Sequence, residues 1–252
     1  MTRGRSAPGR TARKSPAGVA TNDLVFSAYQ GANDALFPLV LALYVAPGSR
    51  VADVTYGRGV FWKRVDRERY RIFASDLRSG VDCRRLPYAA DSLDAVVFDP
   101  PYMHTPGGTA HVDHQNYESY YGNNAARGGT AHKYHEAVLA LYFATASEAF
   151  RVLHPGGIFI VKCQDEVCAN RQRLTHVEVT NDYAARGFVV EDLFVLMQRN
   201  KPGMSRVLRQ LHARKNHSYF LVFRKPVGRG PWTGPALPTP PAPRDRSRAA
   251  DG

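Results

Sequence analysis

The chain is short of cysteine, of long apolar runs and, at both ends, of acid. Only three cysteines, Cys83, Cys163 and Cys168, stand among 252 residues. They are too few and too scattered for a disulfide framework, so a reducing cytoplasm is the expected compartment. The longest apolar run, Phe37 to Ala46, covers about half a membrane span, and no transmembrane helix is expected. The first twenty residues hold Arg and Pro but no apolar stretch of the kind a secretory signal needs. They carry five basic residues and no acid, while residues 226–252 carry four Arg, two Asp and seven prolines. Neither end has enough to bury, so 1–20 and 226–252 are expected to be disordered tails around one folded domain, 21–225.

What the chain does have is positive charge. The formal net charge is +12, of which the tails hold +7. Within the folded part, 199–225 has eight basic residues and no acid. Such a balance points to a polyanion, most often nucleic acid, against the plainer reading of a solubilising surface.

Between the tails, strand-like and helix-like stretches alternate. Thr21–Leu43 reads as helix, stopped at Pro47–Gly48. Arg50–Val54, Arg71–Ala74 and Leu93–Phe98 read as short buried strands. Residues 103–131, rich in Gly, His, Asn and Tyr, read as a long loop. Tyr134–Leu153 is an amphipathic helix ended by His154-Pro155-Gly156-Gly157. Ile158–Cys163 is a strand, Val177–Arg186 a helix, and Phe188–Leu196 and His217–Phe223 are two late strands. This alternation predicts an α/β fold: a mostly parallel central sheet with helices on both faces. Ligands of such folds bind at the carboxyl ends of the strands, where this chain concentrates its glycines and acids.

Two motifs carry chemistry. The first runs from Val51 to Phe61: a strand ends in Asp53, then Gly57 and Gly59 stand two apart before a helix. Glycines allow a tight turn and a close approach to a ligand. Trp62 occupies the place of the third glycine of a dinucleotide fingerprint. An acid beside the glycines suits a cationic nucleoside ligand such as S-adenosylmethionine better than a pyrophosphate. Asp76, after the next strand, suits ribose hydroxyls. The second motif is Asp99-Pro100-Pro101-Tyr102, directly after the apolar strand. Two prolines fix the turn, so that the Asp99 carboxylate and the Pro100 carbonyl form a pair of acceptors for the two N–H donors of an exocyclic amine. Tyr102 offers a ring on which a flipped-out base can stack. Taken alone, either motif could be a plain turn.

Together the motifs resemble the amino-methyltransferases of DNA, Rossmann-like class I enzymes that use S-adenosylmethionine, and above all the small single-domain methylases of phages and bacterial mobile elements. The resemblance covers roughly 21–225. It implies cofactor contacts at Asp53, Thr55, Gly57, Gly59 and Asp76, with Gln30, beside Phe26 and Tyr29, as a further contact before the first strand. It implies catalysis by Asp99, Pro100, Pro101 and Tyr102, and methyl transfer to adenine N6 in preference to cytosine N4. DNA is the implied partner and RNA the alternative, while a non-catalytic nucleic-acid-binding protein of this fold is a reading of another class. Host modification (restriction-modification), protection of mobile DNA and epigenetic control all use this chemistry. The chain departs from the family in the five residues between Asp76 and Asp82, which leave little room for a helix, and in having no separate target-recognition domain.

The basic stretch between the last two strands supplies Lys201, Arg206, Arg209, Arg214 and Lys215 as expected phosphate contacts, giving affinity without sequence information. Five of the nine histidines fall in 103–135, but without nearby cysteines they are read as lining a nucleic-acid loop, and no metal is expected. Lys162, Gln164, Asp165 and Glu166 either line the active-site mouth or cap the next helix. Trp62 is read as packing.

Overall fold

The computed structural model describes residues 24–101, 135–199 and 209–228. The expected tails apart from residues 226–228, the 103–131 loop, Tyr102, Lys201 and Arg206 lie outside the described residues.

Nine strands and three α-helices occur in this part of the chain. The strands are β1 (Ala28–Gln30), β2 (Arg50–Asp53), β3 (Arg71–Ala74), β4 (Leu93–Phe98), β5 (Leu153–Cys163), β6 (Glu166–Cys168), β7 (Arg171–Arg173), β8 (Val189–Met197) and β9 (His217–Arg224). The helices are α1 (Asn33–Tyr44), α2 (His135–Val152) and α3 (Thr175–Ala185). Seven strands form one sheet in the order β1-β8-β9-β5-β4-β2-β3, and β6 and β7 form a separate hairpin. Within the sheet only β9 runs against its neighbours, pairing antiparallel with both β5 and β8. This is the mostly parallel sheet that the alternation predicts.

Burial explains the order. β4 is apolar on both faces and lies inside the sheet between β5 and β2, as a strand covered on both sides must. One face is covered by α2 and α3. α2 presents Val138, Leu141, Tyr142, Thr145, Ala149 and Val152 at helical spacing. Phe159, Phe188 and Phe223 pack beneath the Tyr183 ring of α3. The other face is covered by α1 and a 3-10 turn, Val60–Arg64, where Phe37 meets Phe61 and Trp62 at 5.0 and 5.1 Å.

Three expectations need correction. The helix expected over Thr21–Leu43 begins only at Asn33, because Ala28–Gln30 adds to the sheet edge in parallel with Val195–Met197 of β8. The glycine motif is followed not by an α-helix but by the five-residue 3-10 turn. The His154–Gly157 stop lies inside β5, whose pairing with β4 starts at Leu93–Leu153 and resumes, after an irregularity, at Ala95–Ile158. The short link after Asp76 does curtail a helix, to the 3-10 turn Leu77–Ser79.

Candidate active site

The parallel strands bring the two motifs together. β2 and β4 are neighbours, with Asp53 opposite Val97, so the glycine turn and Asp99-Pro100-Pro101 leave the sheet side by side. Gly57 and Gly59 both have positive φ, +53° and +64°, where L side chains are strained. A Cβ on Gly59 would also meet the Tyr56 hydroxyl at 2.6 Å.

A hydrogen-bonded chain links the motifs. Asp53 is buried, and its Oδ1 accepts from the Thr55 backbone N–H at 3.0 Å. Its Oδ2 accepts from the Trp62 indole Nε1 at 2.7 Å. The Thr55 hydroxyl in turn accepts from the Asp99 backbone N–H at 2.6 Å. Trp62 thus does more than pack: it holds the acid that holds the glycine turn. Burial pushes the Asp53 carboxyl up to about 6, against the pull of the Trp62 and Thr55 hydrogen bonds.

Asp99 differs. Its Oδ1 is sealed from solvent and has no hydrogen-bond partner among the described residues. Burial pushes its carboxyl up to about 7, Lys162 pulls it down, and the Asp53 charge adds to the rise. An unpartnered buried acceptor costs about 1–3 kcal/mol, so its persistence asks for a donor from a ligand. Pro100 is buried beside it.

Other expected residues are more dispersed. Asp76 caps the Leu77–Ser79 turn: its Oδ1 accepts from the Ser79 N–H at 3.0 Å, within a reciprocal capping box. Exposed Gln30 instead borders an open cavity of about 740 Å³, with Asn33 of α1, Lys63, Arg64, Gln198 and Arg199. Asn33 Oδ1 is also buried without a partner among the described residues. Arg209 and Arg214 are exposed and Lys215 is half-buried, on the chain entering β9. β8 runs parallel to β1 and antiparallel to β9, so Met197 and His217 lie at the carboxyl end of β2, β4 and β5. Asp165 takes the capping role, accepting from the His176 N–H at the start of α3. Among the described residues no group of three His, Cys, Asp or Glu could hold a metal ion, and no helix is long and apolar enough to cross a membrane.

The sequence reading takes Trp62 as packing and leaves Lys162 between the active-site mouth and a helix cap. Trp62 stood at a glycine position, and its spacing of three from Gly59 was the available signal. Lys162 interrupts the apolar run Ile158–Val161, and a lysine inside a fully buried strand is rare unless it is paired.

No family model and no curated protein matches the chain. Solved structures similar in fold include a candidate DNA modification methylase from Thermus thermophilus, complexed with S-adenosyl-L-methionine. It is 19% identical over 73% of this chain and 59% of its own, with TM-score 0.38. TrmN from Thermus thermophilus is 16% identical over 76% of this chain and 48% of its own, with TM-score 0.42. A candidate methyltransferase from Bacillus halodurans is 14% identical over 78% of this chain and all of its own, with TM-score 0.45. The chain thus spans about half to three-fifths of the length of the first two.

Proposed function

We propose that the chain is an S-adenosylmethionine-dependent methyltransferase acting on an exocyclic amine of a DNA base, adenine N6 before cytosine N4. The observation that carries this reading is Asp99 Oδ1: a buried acceptor with no partner among the described residues, just past the carboxyl end of β4, on a turn fixed by two prolines. The residues fit the cofactor. Two glycines in the left-handed region open the β2 turn to close approach. Asp76 keeps Oδ2 for a ribose hydroxyl, since its cap uses Oδ1. When bound, the cofactor supplies an electrophilic methyl group on a sulfonium. Asp53 acts through the loop it holds and through its charge.

Asp99 and the Pro100 carbonyl accept the two amine N–H groups and localise the nitrogen lone pair, a contribution of orientation and electrostatics that requires no covalent nucleophile. Tyr102 stacks on the base, as in the family that the motif resembles. Arg209, Arg214 and Lys215, with Lys201 and Arg206, neutralise phosphates. Asp99 must be ionised to accept its N–H well, so transfer rises with pH through about 7 and then levels off.

The test supplies radiolabelled S-adenosylmethionine with unmethylated bacterial DNA and total RNA, and separates the digested nucleosides by mass. Label in N6-methyldeoxyadenosine is expected. Label in RNA alone would transfer the reading to RNA, and label in neither, with cofactor bound, would overturn it.

A further inference from the structure

Lys162 is 1% exposed, and nothing in the mechanism above uses it. Its position is fixed by strand register. Phe98 of β4 pairs with Val161 of β5, so Asp99 and Lys162 occupy the next step on adjacent parallel strands. Side chains alternate along a strand, so both fall on the face that carries Val97 and Ile160. Across the other neighbour, Lys162 pairs with Phe220 of β9. Its ammonium donates to the Ser218 hydroxyl at 2.5 Å and lies 5.0 Å from the centre of the Phe220 ring.

The charged groups acting on Asp99 are Asp53 from β2 and Lys162 from β5. Burial pulls the Lys162 ammonium below the usual lysine range, and Asp99 and the Cys163 thiol oppose that fall. β9 brings the Ser218 hydroxyl and the Phe220 ring. A buried cation beside a buried carboxylate stabilises the ionised form of that carboxylate.

We propose that Lys162 is a positioning residue: its buried ammonium, held by Ser218, keeps Asp99 as a carboxylate ready to accept an amine. The role toward the amine rests on the proposed function; the coupling of Lys162 to Asp99 does not. Asp99 is thus acted on by one charge that opposes its ionisation, Asp53, and by one that favours it, Lys162. The balance sets the pH at which the site becomes competent.

The experiment follows the Asp99 carboxyl directly, by NMR of protein labelled with carboxyl-13C aspartate, the signal being assigned by its loss in Asp99→Asn. In Lys162→Met the titration midpoint should rise by about one pH unit or more. In Ser218→Ala, nearly isosteric, the ammonium loses one acceptor, its charged form is held less well and supports Asp99 less, so the midpoint should rise by a smaller amount. Transfer by Lys162→Met should be about tenfold down at pH 7 and recover by pH 9. A merely structural role would give the same loss at every pH. An unchanged midpoint in either folded variant overturns the proposal, and if Lys162→Met does not fold, Ser218→Ala decides it. A midpoint that moves in a protein without transfer activity would keep the coupling and overturn the methyltransferase reading instead.

Discussion

Past the carboxyl end of β5 the chain buries a second set of charged groups, a few residues from Lys162, and the contrast between the two sets is informative. In the second set, His135 is fully buried and both ring nitrogens are engaged, Nδ1 with Glu166 Oε1 at 2.6 Å and Nε2 with Glu178 Oε2 at 2.5 Å. Glu178 also accepts from Arg173, which reaches Glu136 as well. Beside it, Asp165 holds His176 at 2.7 Å and accepts from the Tyr219 hydroxyl at 3.3 Å. These contacts pin the β6–β7 hairpin to α2 and α3. In the first set, by contrast, Asp99 carries an acceptor that nothing among the described residues satisfies. A polar cluster that closes on itself stabilises the fold; one left open at a strand end is suited to receive a ligand.

The sharpest way to break this contrast is Asp99→Ala. It should lower transfer about a thousandfold while leaving cofactor affinity within a few-fold, measured by labelled transfer and by calorimetric titration. Near-normal turnover would sink the assigned chemistry.

The second cluster should respond in stability rather than chemistry. His135→Phe takes the imidazole away from buried Glu166 and should cost about 3 kcal/mol in urea unfolding. Burial lowers the His135 pKa, but the hydrogen bonds to Glu166 and Glu178 outweigh it and raise the net value. A folded value above the unfolded one gives stability that is fully present below about pH 6.5 and lost as pH rises through the folded value. The cost of His135→Phe should therefore be greatest near pH 6 and shrink above it. A loss independent of pH would mean that His135 acts by shape alone.

Trp62→Phe lies between the two. It removes one donor from a buried carboxylate and should cost about 2 kcal/mol, with weaker cofactor binding because the glycine turn is no longer held. Stability lost with affinity unchanged would separate Asp53 from the cofactor.

The smallest effect should have the opposite sign. The Asp99 carboxyl titrates at about 7, above its ordinary value of 3.8, so its ionised form is disfavoured by folding. That penalty is absent below pH 3.8, grows through the interval and is complete above about 7. Asp99→Asn should then raise stability by about 1–2 kcal/mol at pH 8 and by little at pH 4, read from thermal melts. No gain at pH 8 would mean that Asp99 finds a partner in the folded protein after all.

Much of this was legible in the residues. Continuous apolar runs marked β4 and the end of β5, helical spacing marked α2 and α3, and the turn after β4 identified Asp99. The signals were local, and local patterns report what lies within a few residues. β1 was hidden because three residues exist as a strand only against β8, almost 170 residues away. The shortness of the turn after Gly59 was hidden for a related reason: Phe61 and Trp62 pack against α1, and that packing, not helix propensity, ends the turn.

By itself the sequence determined the order of most strands and helices, the left-handed turn that glycine accepts most readily at 57 and 59, and the acid that follows β4. The tertiary structure decided the partnerships: that Trp62 closes on Asp53, that Thr55 joins Asp53 to Asp99, and that a lysine on β5 stands one strand over from the aspartate just past β4. Backbone conformation is set by each residue and its neighbours. The partner of a buried charge is set by strand order and register, which the whole sheet fixes at once.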